Sequence, residues 1–175
     1  MKSSRNELEL KTADGKLAVM KKTYSFIANF PNQQTFTHRN IAAEGPITNF
    51  RFDGAAVPQN WTDFAMGSWT VKVPLQPPPT RGELRQGVLE YELLDSFPAD
   101  REAITYTTDF RADVAIVEIK FPANRPVKTV EAHRIFGGET SKKISNPTIS
   151  SNKREVTYTF KKPPIGAEYE IWWTW

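Results

Sequence analysis

Glu168-Tyr169-Glu170-Ile171-Trp172-Trp173-Thr174-Trp175 carries Tyr169, Ile171, Trp173 and Trp175 at strict period two. A strand puts residues i, i+2, i+4 and i+6 on one face, whereas a helix spreads them around its axis. The stretch is therefore predicted to be a strand that buries those four side chains. Glu168, Glu170, Trp172 and Thr174 then share the wetter face, so Trp173 should be deeply buried and Trp172 should not.

The same alternation recurs upstream. Residues 144–149 and the trio Val156, Tyr158 and Phe160 read as one hairpin across Ser151-Asn152-Lys153. Val130, Ala132 and Arg134 share a face with Phe136, before Gly137-Gly138 breaks the pattern. Residues 114–121 are more continuously apolar, as a central strand covered on both faces would be. Leu89, Tyr91 and Leu93 alternate with Glu90 and Glu92, and Trp69, Val71 and Val73 alternate with Ser68, Thr70 and Lys72. Ile47, Phe50 and Phe52 lead into Asp53-Gly54. Leu8 and Leu10 lead through Asp14-Gly15, a strong hairpin dipeptide, to a long strand with Tyr24, Phe26 and Ala28 on one face. Pro31-Asn32 ends that strand. Residues 96–103 read as a helical turn. Pro77-Pro78-Pro79 cannot donate to a ladder and reads as a corner where the chain crosses between sheets.

The predicted fold is all-β, an antiparallel two-sheet β-sandwich of roughly eight to ten strands. It is immunoglobulin-like in style, without the Cys–Trp–Cys spacing of antibody domains. Residues 1–6 are expected to be a flexible N-terminal tail and residues 7–175 a single β-sandwich domain. No fixed-period repeat, heptad or linker divides the chain.

Composition supports a real core. Of 175 residues, 39% are hydrophobic and 12% aromatic, and the 13 prolines outnumber the 9 glycines. There is no cysteine, which excludes disulfides, thiolate nucleophiles and cysteine-ligated zinc. The opening Met1-Lys2-Ser3-Ser4-Arg5-Asn6-Glu7 lacks the apolar run of an export signal, and no stretch is apolar enough to span a membrane. A cytoplasmic location is expected, so Asn60-Trp61-Thr62 is not read as a glycosylation site. Net charge is +3, and residues 139–162 hold six Lys/Arg against two Glu.

Chemistry is sparse. His38 and His133 have no partner at chelating spacing and read as ordinary surface residues. No Gly-x-Ser-x-Gly elbow presents a serine, so a Ser-His-Asp site is not expected. Asp109 and Asp113 flank a turn without a calcium-loop pattern. Glu90 and Glu92 project from one face about 7 Å apart, the one pair worth weighing as glycosidase carboxylates. Their alternation with Leu89, Tyr91 and Leu93 is what any wet sheet face requires. Gly137-Gly138 with Thr140 and Ser141 lacks the helix that a phosphate cradle needs. No cofactor and no metal are expected, and no catalytic residues are assigned.

Binding candidates come from exposed aromatics and clustered cations. Trp61 lies outside any period, and Trp172 opposes the core face of its strand. Lys142, Lys143, Lys153 and Arg154 converge if residues 142–160 form one hairpin. The leading reading is a non-enzymatic binding or accessory domain that recognises another protein, fitting the C-terminal module of a larger protein. A glycan- or small-ligand-binding sandwich using Trp61 is the alternative, and a jelly-roll glycoside hydrolase the second alternative. Nucleic acid is disfavoured because no stacking motif accompanies the lysines, and no membrane partner is expected.

Overall fold

The structure, a computed structural model, describes residues 1–28, 34–135 and 141–175. Fifteen strands and one 3-10 turn, Gln59–Trp61, make up the described elements. The strands are β1 (Ser3–Leu10), β2 (Leu17–Ile27), β3 (Thr35–Ile41), β4 (Ile47–Phe52), β5 (Ala55–Ala56), β6 (Thr62–Ala65) and β7 (Ser68–Pro74). They continue as β8 (Leu84–Leu94), β9 (Arg101–Thr107), β10 (Val114–Lys120), β11 (Thr129–Ile135), β12 (Lys142–Lys143), β13 (Thr148–Ile149), β14 (Glu155–Lys161) and β15 (Glu168–Thr174).

Three sheets result. The largest has eight strands in the order β13-β14-β10-β1-β2-β8-β4-β5, and β12-β11-β15-β9 and β3-β7-β6 form two smaller ones. The inner face of the large sheet is apolar at every second position: Leu8 and Leu10, Ala18 and Met20, Leu89, Tyr91 and Leu93, Ala115, Val117 and Ile119. Tyr169, Ile171 and Trp173 of β15 and Ile41, Val71 and Val73 of the three-stranded sheet belong to the same core cluster. The all-β, layered expectation holds, with the second layer divided into two sheets.

Several details correct the sequence reading. The β1–β10 pair is parallel, Ser3 facing Val114 through Glu9 facing Lys120, so the large sheet is mixed rather than wholly antiparallel. No flexible tail precedes β1 among these residues: the strand begins at Ser3 between β10 and β2, and Asn6 is buried. Residues 96–103 are a loop running into β9 rather than a helical turn. The hairpin across Ser151-Asn152-Lys153 forms, Thr148–Ile149 pairing with β14, but residues 142–143 pair with β11 in another sheet, so residues 142–160 are not one hairpin. Asp14-Gly15 sits in a six-residue connection, where Gly15 has φ +72° and its α-carbon is pressed against the Phe97 carbonyl. Asp53-Gly54 does make the tight turn, both residues with positive φ between Phe52 and Ala55. The proline corner carries the chain from β7 in the three-stranded sheet to β8 in the large one. Phe136, Gly137-Gly138 and Pro31-Asn32 lie outside the described residues.

The outer face of the large sheet is polar. β10 is central, but its outer face holds Glu118, buried to 3% exposure and ion-paired to Arg5 and to Lys120 at 3.1 Å. Glu118 stands directly opposite Glu7 in the register, a repulsive pairing that Arg5 and Lys120 bridge from both sides.

β15 is the seam between layers. Trp173 is 1% exposed, with its ring 5.7 Å from Phe97 and 5.9 Å from Phe121. Trp175 donates its Nε1 hydrogen to the Ala99 carbonyl at 2.8 Å, and the Arg125 guanidinium lies 3.8 Å over its ring. Trp172 is half-buried on the other face, as expected. Trp173→Ala should cost about 3–5 kcal/mol, the range for emptying a large aromatic site. Trp172→Ala should cost about 1 kcal/mol, the worth of its contact with Arg101. Urea denaturation of both variants checks the order; a costlier Trp172→Ala would mean the faces of β15 are reversed.

Candidate functional site

The residues singled out in the sequence do not converge. Trp61 is half-buried in the 3-10 turn beside β6 and β7. Lys142 and Lys143 lie on the four-stranded sheet, where Lys143 reaches Glu131 at 3.3 Å. Lys153 and Arg154 lie in the turn before β14, their carbonyls accepting from Val127 and Phe121. The division follows from the strand pairing: the chain leaves one sheet after β12 and enters another at β13. Glu90 and Glu92 are on the outer face of β8, where Glu90 stands between Lys21 and Arg51 and Glu92 accepts from Asn49. Neither faces a cleft with a second carboxylate.

What the topology builds instead is a cleft of about 780 Å³ over the inner face of the large sheet. Its floor includes Asn6, Met20, Lys22 and Tyr91, and its walls are β3 and β9, which belong to different small sheets. Both are edge strands of their sheets, and among the described residues neither pairs with a strand on the cleft side. The ladder phase shows which backbone groups are open. Thr108 N–H donates to the Ala167 carbonyl and Trp175 N–H to the Asp100 carbonyl, so even-numbered residues of β9 bond toward β15. By the alternation of an antiparallel ladder, Arg101, Ala103, Thr105 and Thr107 direct their N–H and C=O groups to the other side. On β3, Leu75 N–H donates to the Gln34 carbonyl, which leaves Thr37 in the outward phase. Among the described residues, β9 and Thr37 of β3 thus offer unpaired main-chain groups.

His38 was expected on the surface in a polar turn. It lies within β3, is 8% exposed, and packs its ring 5.0 Å from Tyr24 and 5.1 Å from Phe36. Strand alternation carries it inward with Phe36, and a bulge at Arg39 and Asn40 restores Ile41 to the core. Burial, with a smaller contribution from the Lys22 charge, pushes His38 down to about 3, so it is neutral at physiological pH. His38 Nε2 and Asn6 Nδ2 are buried without a hydrogen-bond partner among the described residues.

The cleft is electrically divided. At the end where β9 finishes, Lys22 and Arg39 flank Asp109, whose carboxyl is raised by burial and drawn back by those two cations. Neither cation has a carboxylate within ion-pair distance among the described residues; Lys22 lies instead 5.8 Å over the Tyr91 ring. At the end where β9 begins, Glu44 and Glu102 line the cleft. Burial raises Glu102, opposed by its bond from the Ala99 N–H, while the Glu44 charge raises it further. Glu170 and Trp172 border this half, with Trp172 Nε1 donating to Glu170 and the Arg101 guanidinium 4.6 Å over the Trp172 ring. Arg101 in turn pairs with Glu131 at 3.0 Å.

A second cluster was not anticipated. β11–β12 pairing brings Ser141 Oγ to 3.3 Å from His133 Nδ1, and His133 Nε2 lies 3.6 Å from Glu131. Nucleophile and base in an acting triad sit at about 2.6–3.2 Å. Glu131 is also shared with Lys143 and Arg101, and the Lys143 bond is the main cause of its lowered pKa. The arrangement is an ion-pair network on a sheet face rather than a charge-oriented base. Among the described residues no three His, Cys, Asp or Glu side chains gather as a metal site, and no helix is long and apolar enough to cross a membrane.

The chain matches no protein-family model and no curated protein. Among solved structures it is similar in fold to an M1 zinc metallopeptidase from Deinococcus radiodurans, with TM-score 0.51 and 11% identity over 97% of this chain and 41% of that one. It is likewise similar to yeast LTA4 hydrolase, with TM-score 0.51 and 10% identity over 98% of this chain and 28% of that one. The chain thus spans about two fifths of the peptidase and less than a third of the hydrolase. At this identity the likeness is one of fold.

Because the His38 pKa is depressed in the folded state, the unfolded chain takes up its proton first as pH falls. Stability from this residue is fully present above about pH 6.5, its unfolded value, and is lost progressively toward pH 3. Between pH 7 and 5 the loss should be about 2 kcal/mol at one proton per molecule. Comparing urea unfolding of the wild type and His38→Gln at both pH values checks this: the variant should lose that part of the pH dependence.

Proposed function

We propose that this chain is a non-catalytic accessory β-domain that recognises another protein by taking an extended segment of it into the inter-sheet cleft. The observation that carries the reading is the cleft bounded by two sheet-edge strands over a half-polar floor, with the outward main-chain groups of β9 open among the described residues. An extended chain completes both the hydrogen-bonding and the burial left open there. A fold shared with part of a zinc metallopeptidase supports an accessory role, since the span is two fifths of that chain.

One observation favours a glycan: Trp172 borders the cleft, half-exposed, beside Glu170. Stacking on a sugar needs a free ring face. The Arg101 guanidinium already lies over this ring, and its Nε1 hydrogen is given to Glu170. The protein reading therefore stands first.

A display selection with random heptapeptides on the full chain tests it. Enriched sequences should lack proline, and their binding should slow amide exchange across residues 101–107 and 35–41. Failure to enrich any peptide, or peptides protecting only other regions, would contradict the reading. Selective binding on a glycan array with quenching of Trp172 would establish the glycan alternative instead.

A further inference from the structure

The cleft not only has open edges; it has polarity, and polarity orients what fits. β3 and β9 run in opposite directions along it: Phe36 at the start of β3 meets Phe110 just past the end of β9, and Glu44 past the end of β3 influences Glu102 at the start of β9. The Lys22–Arg39 end carries two cations against the single carboxylate of Asp109, while the other end sets Glu44, Glu102 and Glu170 against Arg101, which is itself paired to Glu131. Between the two ends lie Met20 and Tyr91, both buried, with the Lys22 ammonium 5.8 Å over the Tyr91 ring. A strand residue between two ladders, with side chains on both faces, fills on the order of 160 Å³, so the cleft holds about five.

Pairing is set by the longer edge. β9 directs Arg101, Ala103, Thr105 and Thr107 outward in regular phase, whereas β3 is interrupted by its bulge after His38. Antiparallel pairing is the more stable ladder, so an added strand should run against β9. Its first residue then lies at the Lys22–Arg39 end and its last at the Glu44–Glu102 end. Side chains that face the floor recur every second residue, and residues i and i+4 are about 13 Å apart. Resting on the peptide-binding reading above, we infer that the cleft takes an extended peptide of the pattern acidic–x–apolar–x–basic, added antiparallel to β9. The acidic residue meets Lys22 and Arg39, the apolar one covers Met20, and the basic one meets Glu44 and Glu102. The intervening residues face solvent.

Fluorescence anisotropy with two labelled, end-capped peptides of identical composition tests the inference on the full chain. The peptides are Thr-Glu-Thr-Val-Thr-Lys-Thr and its charge-swapped twin Thr-Lys-Thr-Val-Thr-Glu-Thr. The first should bind at least tenfold more tightly, and Lys22→Glu should remove that preference. Thr105→Pro deletes an outward N–H without touching the ladder to β15, and an edge position tolerates it. It should abolish binding while the circular dichroism spectrum stays that of the wild type. If that variant loses its sheet signal, N-methylating alternate amides of the peptide asks the same question: one of the two phases should abolish binding. Equal affinity for the two peptides, or binding indifferent to both methylation phases, overturns the inference. If selected peptides occupy the cleft without regard to charge order, the inference falls while the peptide-binding reading stands; if no peptide occupies it, both fall.

Discussion

The clamp of Trp173 between Phe97 and Phe121 fixes where the four-stranded sheet lies on the eight-stranded one. β15 is central in that sheet, bonded to β11 on one side and β9 on the other. Wherever β15 is held, β9 follows one strand spacing away, about 4.8 Å. Trp175 reinforces the position from the next layer, bonded to Ala99 and stacked under Arg125. The three-stranded sheet is held through Ile41, Val71 and Val73 in the same core and through Phe36 stacked on Tyr24. Two small sheets on one floor that do not join leave a gap, and the gap is the cleft.

That gap has a cost. Open strand edges invite pairing with other chains, and a buried nitrogen without a partner costs about 1–3 kcal/mol. Asn6 and His38 both carry such nitrogens on the cleft walls and floor. Keeping His38 neutral has a second effect: the cationic end holds Lys22 and Arg39 without a third positive charge.

Period-two alternation made most of the fold legible. Tyr169, Ile171, Trp173 and Trp175 identified the core face of β15, and Trp172 fell on the opposite face as its phase required. Local pattern carries no information on which strands meet, so the parallel β1–β10 pair and the division of the second layer were not readable. The same limit hid the site. Lys22 sits at an inward position of β2 among Ala18, Met20 and Tyr24, and by itself reads as a break in the apolar pattern. Only when β3, β9 and the large sheet are assembled does it become the charged floor of a cleft. His38 lay in Thr37-His38-Arg39-Asn40, whose polarity resembles a turn; its burial came from strand alternation that the following bulge obscured. Lys142, Lys143, Lys153 and Arg154 erred the other way, being close in sequence but divided between sheets.

Peptide binding in the cleft requires that β9 be an open edge facing it. Residue-resolved amide hydrogen exchange by NMR examines it directly. In the free protein Ala103, Thr105 and Thr107 should exchange far faster than their neighbours Glu102, Ile104 and Tyr106, which bond to β15. On adding the Glu-first peptide, the fast set should slow toward the slow set while the slow set changes little. Uniform protection along β9 in the free protein, or no slowing at Ala103 and Thr105 with peptide bound, would contradict the account.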